Sequence, residues 1–506
     1  MTVKRAVLAV LTFIVVLVVG GALISSANQP QVTSRLQLYQ TDLLLQATAW
    51  DGSDLSEQEA DRVKTALLGK DPIETVIEQY EEVRQSAVAG LERSQQQAAM
   101  LTALQPARAS SDEATQAQSI ANQQQALIHR IDLRLGILQA QQQQQQQAIQ
   151  TWQRLAQENT TATTAQTAAA LADLWREPPQ VSPGTEALLQ NLDGWFRDRA
   201  LEKLYRVENR PQDLALLTQQ EQETAEETLL RLVVIGVMPT LGGLLGAILL
   251  VVLIGQRFVQ KQKSVLAIAG DRGWTVPWTA ETVWQVLIFG FFFIGQIVLP
   301  LLLKQTGLSF GTADSRGPAL YALVFYLLMA SIGLAVLYGS IRPYFPLPEG
   351  WFRFRLVAKW PLWGLGGYLV ALPLMIGVSL LNQQLWQGQG GSNPLLQTVL
   401  EEHDPLALGI FLFTAAIAAP VFEEILFRGF LLPSLTRYMP VWGAIGLSSL
   451  IFAAAHLSLS EVLPLTVLGA VLGFVYARSR NLLSSILLHS TWNSVTMIGL
   501  FLLGGA

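Results

Sequence analysis

The residues able to do chemistry gather in three short clusters near the end of the sequence. Glu423, Glu424 and Arg428 lie in "PVFEEILFRGFLLPSL", His456 closes "LIFAAAH", and His489 stands four residues before Asn493. A carboxylate beside an imidazole can take a proton from water, and partial burial raises a carboxylate's pKa toward the range useful to a general base. Glu423 and His456 are the candidate pair for activating a water. A spacing of four puts His489 and Asn493 on one helix face, where both can donate to a developing oxyanion, worth about 3 kcal/mol per donor. The chain has no cysteine, which excludes a thiol nucleophile, disulfides and thiolate metal sites.

Each cluster also has a plainer reading. Glu424 and Arg428 are four apart and can simply neutralise one another. Asn493 can serve as a hydrogen bond between helices, and His456 as a satisfied core histidine. Glu423 has no cation four residues on, so its partner must come from another helix. Two His and two Glu could ligate zinc, although there is no HExxH and an Asn suits an oxyanion better than a cation. Two other classes of function stay open: a non-catalytic scaffold that works through a partner of its helical domain, and a transporter that uses the buried charges as a proton relay. A transporter should show an internal repeat, and none is evident.

The surroundings explain why these charges matter. Of 506 residues, 51% are hydrophobic and the formal net charge is −5. The apolar excess is concentrated in an N-terminal run and in everything after about residue 228. Stretches long enough for a ~30 Å hydrocarbon core recur near 229–255, 281–303, 318–341, 361–381, 406–437, 441–457, 462–477 and 483–504. With the N-terminal run, the sequence predicts about nine crossings in an all-α, polytopic bundle. In such a setting an ionisable group is costly, and it marks a functional site by default.

Simple alternation puts Lys4 and Arg5, then Arg257, Lys261, Lys263 and Arg272, then Arg342, Arg353, Arg355 and Lys359, then Arg437, and finally Arg478 and Arg480 on one side. The positive-inside rule makes that side cytoplasmic. "PEGWFRFRL" from Pro348 then reads as an interfacial connector, and residues 28–228 fall outside the cytoplasm. That segment is acidic and polar, which argues against nucleic acid as a partner.

Four parts follow: 1–27, a signal anchor or signal peptide; 28–228, a Gln-rich helical extramembrane domain; 229–360, further membrane helices with a cytoplasmic connector; and 361–504, the segment with the chemistry. Ser25-Ser26-Ala27 could serve a signal peptidase, but a multispanning chain has no need to release its N-terminus, so an anchor is favoured. Val76, Tyr80 and Val83 recur at helical spacing. Leu135, Gly136, Ala148 and Trp152 have the small and large pattern of one tetratricopeptide helix pair, with Gln139 in its aromatic slot. The plainer description is a Gln-rich amphipathic hairpin.

One long helix from about 406 to the turn at 437–440, with an antiparallel return, positions the first two clusters. Glu423 lies about 16 residues before the turn and His456 about 16 after it, so at ~1.5 Å per residue both stand roughly 25 Å from the turn. They are expected within direct or one-water hydrogen-bonding reach, with His489 and Asn493 facing the same cavity.

The three clusters also match motifs in order: EExxxR at Glu423, Glu424 and Arg428, FxxxH at Phe452 and His456, and HxxxN at His489 and Asn493. In this the chain resembles the CPBP group of intramembrane proteases, relatives of the Rce1-type CAAX prenyl endopeptidases and the Abi bacteriocin-immunity proteins. The resemblance covers about the last third of the chain. It implies glutamate-dependent peptide hydrolysis without a cofactor, zinc being the alternative, with Glu423 and His456 on the water and His489 and Asn493 on the oxyanion. Glu424 and Arg428 would hold the helix and the charge of the site. The implied partners are membrane lipid and a membrane-associated protein or peptide substrate, in a bacterial-type plasma membrane. Prenylated CAAX proteins are what the eukaryotic relatives cleave, and motif resemblance does not transfer that specificity.

Overall fold

A computed structural model of the chain describes residues 2–27, 29, 31, 33–53, 55–104, 112–158, 160–268, 273–305, 316–402 and 404–504; Arg272, used above for orientation, lies outside them. It divides into two units, Met1–Val32 with Val237–Gly505, and Thr33–Gly236. Both are helical, as the composition and spacing predict.

Among the described residues eight helices are long and apolar enough to cross a membrane. We number the helices of the first unit α1 (Val3–Ser26), α2 (Met238–Gln260, within the candidate span Pro211–Lys263), α3 (Ala280–Gln305), α4 (Arg316–Ile341) and α5 (Trp360–Trp386). The short α6 (Pro394–Glu401) is followed by α7 (Pro405–Leu435), α8 (Val441–Ala454), α9 (Leu459–Ser479) and α10 (Leu482–Gly504). The crossing predicted at 441–457 is α8, which is not among those eight. It has only 14 residues, or about 21 Å at 1.5 Å each, because the chain turns at Ala455 and Leu457 takes a left-handed φ of 59°. His456, expected inside a membrane helix, stands in the turn beyond its end.

The N-terminal run is built into this unit. Thr12 accepts a 2.7 Å bond from the Trp284 indole of α3. Lys4 and Arg5 pair with Glu281 at 3.2 and 2.7 Å. At the other end, the Ser26 hydroxyl accepts from the Leu459 N–H at 2.9 Å, and Gly391 N–H donates to the Gln29 carbonyl at 2.9 Å.

The long helix α7 begins as its sequence dictates. Asp404 caps the N–H groups of Leu406 and Ala407 at 2.9 Å, and Pro405 takes the first position, where its missing N–H costs nothing. Arg316, 2.9 Å away, and these two N–H groups hold the Asp404 carboxyl below its ordinary range. The helix is not regular, since π-type turns occupy Thr414–Ala418 and Glu424–Leu431. The return helix α8 packs closely on α9, where a Cβ on Gly469 would stand 2.9 Å from that of Ser449.

The connector from Pro348 is less interfacial than expected. Trp351 is buried against Trp278, with ring centroids 4.3 Å apart, in a cluster that includes Phe430. Asn481 grips both main-chain groups of Arg355, at 3.1 and 2.8 Å, which ties the connector to the α9–α10 turn. Aromatic side chains with core to bury left the surface, while Phe354, Leu356 and Val357 stay exposed.

In the second unit, Val76, Tyr80 and Val83 are buried on one face of Pro72–Leu104, as their spacing predicts. Asp112–Gln141 and Gln145–Gln157 form the expected hairpin. Trp152 lies so close to Gly136 that a Cβ there would meet the indole at 2.3 Å, and its Nε1 donates to the Leu133 carbonyl at 3.0 Å. Gln139, in the aromatic slot, accepts from Thr151 at 3.1 Å. Arg134 binds Asp42 at 2.8 Å and the Tyr80 hydroxyl at 2.9 Å, and burial, then Asp42, pushes the Tyr80 phenol well above its ordinary range.

Candidate active site

A cavity of about 510 Å3 within the first unit is lined by Glu423, His456, His489 and Asn493 together, as the sequence predicts. α7 supplies the carboxylate, the turn after α8 the first imidazole, and α10 the second imidazole and the amide. Tyr326 and Gln296, from α4 and α3, also line it.

The pairing inside the cavity differs from the simplest expectation. Glu423 makes no hydrogen bond or ion pair directly to His456 among the described residues. Its Oε1 accepts from the Tyr326 hydroxyl at 2.8 Å, and its Oε2 lies 3.8 Å from Nε2 of His489. The hairpin brings Glu423 and His456 to one cavity, but α8 ends before His456, so a turn places the ring.

That turn fixes the ring's proton. His456 Nδ1 lies 2.9 Å from the Phe452 carbonyl, which can only accept, so Nδ1 carries hydrogen and a neutral ring keeps Nε2 as its acceptor. Gln296 steadies the same turn by donating to the Ala455 carbonyl at 3.1 Å.

Glu424 and Arg428 sit behind the cavity, 0% and 1% exposed, with Arg428 Nη1 donating to Glu424 Oε1 at 2.8 Å. The neutralising pair is therefore real, and it does more than neutralise. The same Oε1 accepts from His489 Nδ1 at 3.0 Å, while Oε2 has no partner among the described residues. With Nδ1 protonated toward Glu424, His489 turns Nε2 toward Glu423. Arg428 also donates to the Gly469 carbonyl at 3.2 Å, and its guanidinium lies 4.5 Å from the centre of the Phe452 ring. Phe452 in turn stands edge-on to both imidazoles, at 4.9 Å from His456 and 5.8 Å from His489.

Asn493 has a structural task as well. In the π-type turn Ala419 donates to Thr414, five residues back, and the next donor in that series is Pro420, which has no N–H. The Ala415 carbonyl is left over. Asn493 Nδ2 donates to it at 2.7 Å, joining α10 to α7. An amide nitrogen has two hydrogens, so one fixes the side chain and the other stays available.

Among the described residues no group of three or more His, Asp or Glu side chains is placed to hold a metal ion, and the Nδ1 contacts of the two imidazoles leave Nε2 of each as its open ring atom. Tyr326, Gln296 and the bridging part of Phe452 were not identified from the sequence. A lone Tyr or Gln inside an apolar run has no local pattern that marks its direction.

Comparison with known proteins agrees with the motifs. Residues 405–495 match the family model described as type II CAAX prenyl endopeptidase Rce1-like. A Bacillus subtilis (strain 168) protein named "Putative membrane peptidase YdiL" is 27% identical over 137 residues, covering 27% of this chain and 55% of the relative. The chain thus spans about half the length of the curated relative it matches. No solved structure matches significantly. The chain is an integral, multi-pass membrane protein whose residues 405–495 are similar to the Rce1-like family.

Proposed function

We propose that the protein is an intramembrane endopeptidase that hydrolyses a peptide bond of a membrane-associated protein or peptide, with Glu423 as the general base. The observation that carries this reading is the joint lining of one cavity by a carboxylate, two imidazoles and an amide. Glu423 takes the proton of a water as that water attacks the peptide carbonyl. His456 presents Nε2 to the same water as an acceptor, which orients it. The free N–H of Asn493 faces the oxyanion. His489, with Nδ1 toward Glu424 and Nε2 toward Glu423, can join it as a donor only when Nε2 also carries a proton. Glu424 and Arg428 are positioning residues: they set the ring's direction and do not reach the cavity. The donor set supports hydrolysis without a metal, and no step is assigned to zinc.

The placement proposed is a bacterial-type plasma membrane, with the helical unit 33–236 outside the cytoplasm and available to a protein partner. The test is a comparison of membrane-protein termini in cells carrying the wild type and Glu423→Gln. New termini that need an intact Glu423 are expected. Identical termini in both, with both proteins present at equal level, would count against a protease and favour a scaffold acting through residues 33–236.

A further inference from the structure

A second cavity, of about 490 Å3, lies in the first unit between α2, α5, α8 and α9, and shares no lining residue with the one just described. Among the described residues that line it, apart from two indoles, the only polar side chain is that of Lys359. Its shape follows from glycine. At Gly246 the backbones of α2 and α5 touch, since an added Cβ would stand 1.8 Å from the Leu369 carbonyl oxygen. One turn further along α2, Leu249 and Leu253 line the cavity opposite Gly366 of α5, where a Cβ would meet nothing within 4 Å. The two helices are closed at one end and parted at the other. Leu362 and Trp442 on its wall are 70% and 55% exposed, so the slot opens on the surface of the unit.

The open end is basic. Lys359 immediately precedes α5, and α2 ends with Arg257 followed by Lys261 and Lys263. None of these four makes an ion pair within 4.0 Å among the described residues. The positive-inside rule puts this end at the cytoplasmic face. An apolar slot of a size ordinary for ligand sites, with the Lys359 cation on its wall, is complementary to a long hydrocarbon chain carrying an anionic head.

We propose that this slot holds an acyl chain of an anionic phospholipid of the cytoplasmic leaflet, its phosphate at Lys359. The proposal does not depend on the proteolytic reading, because no residue of the candidate active site takes part. The test is native mass spectrometry of the full-length protein, stripped of lipid in detergent and titrated with phosphatidylglycerol or phosphatidylcholine of the same acyl chains. Wild type should retain one phosphatidylglycerol about fivefold better than phosphatidylcholine, the effect of one basic group near the phosphate. Gly366→Phe fills the slot and should lose that adduct at an unchanged unfolding temperature. Lys359→Glu, at an exposed position, should keep a bound lipid but lose the preference. Equal retention of both lipids by the wild type, or an undiminished adduct in folded Gly366→Phe, would overturn the proposal. If Gly366→Phe does not fold, Lys359→Glu decides, and an unchanged preference overturns it. Retention of an acylated peptide and of neither phospholipid would assign the slot to substrate and equally defeat it.

Discussion

The Tyr326 hydroxyl donates to Oε1 of Glu423 across 2.8 Å, which joins α4 to the carboxylate proposed as the base. A hydrogen bond to a charged group contributes about 1.5–3 kcal/mol. Tyr326→Phe removes that donor and leaves the ring, so kcat/KM should fall about 10- to 100-fold, mainly through kcat if the phenol aims the carboxylate. Steady-state kinetics on a cleaved peptide checks this. A variant with normal kcat and a raised KM would make Tyr326 a substrate contact.

Arg428 is enclosed with Glu424 in the membrane unit, and removing one member of a buried pair leaves an uncompensated charge. Arg428→Met should therefore destabilise the protein by about 3–5 kcal/mol. Glu424→Gln combined with Arg428→Met should recover part of that loss, because neither charge is then left alone. Thermal unfolding in detergent reads both effects. Equal stability of Arg428→Met and wild type would show that the pair is only incidental.

α1 is held at both ends, by Glu281 on Lys4 and Arg5 and by the Ser26 contact to Leu459. Removing the segment up to Ala27 would strip all three contacts and take Val15, which is 4% exposed, out of the hydrophobic core of the unit. The purified protein should consequently retain this helix, which intact-mass measurement checks directly. A mass that lacks residues up to Ala27 would make the segment a cleaved signal peptide.

Much of this arrangement was readable in the sequence, for physical reasons that also mark where reading stopped. The spans follow from apolar run length, and the α7–α8 hairpin from the charged turn at Arg437 between two such runs. The joint lining of one cavity by Glu423, His456, His489 and Asn493 follows from helical periodicity plus that hairpin. The π-type turns in α7 were not readable, because Thr414–Ala418 is an ordinary apolar run whose irregularity appears only when Pro420 withholds its N–H. Nor was the end of α8: Ala453, Ala454 and Ala455 are good helix formers, and a Leu carries no local signal for the left-handed φ that Leu457 adopts. Trp351 was read as an interfacial anchor, since a Trp beside basic residues looks the same whether its ring meets lipid or Trp278.

The metal question can be put to experiment without prejudice. Protein dialysed in detergent against a strong chelator, and checked by elemental analysis on the same sample, should keep most of its activity, since a Glu base needs no ion to activate water. Loss on stripping, with recovery on stoichiometric zinc, would make His456 and His489 ligands. Activity that persists with zinc still bound decides nothing, so the metal content must accompany the rate.

The central claim is that Glu423 takes the proton of the attacking water. Glu423→Gln keeps the volume of the side chain and an oxygen to accept from Tyr326, but an amide cannot serve as the base. Purified wild type and Glu423→Gln should be reconstituted at equal amount, shown to unfold at the same temperature, and compared on the same membrane-associated peptide. Cleavage by the variant is expected to fall by at least about 100-fold, the lower end of what a positioned general base contributes. Undiminished cleavage by a folded Glu423→Gln would contradict the account.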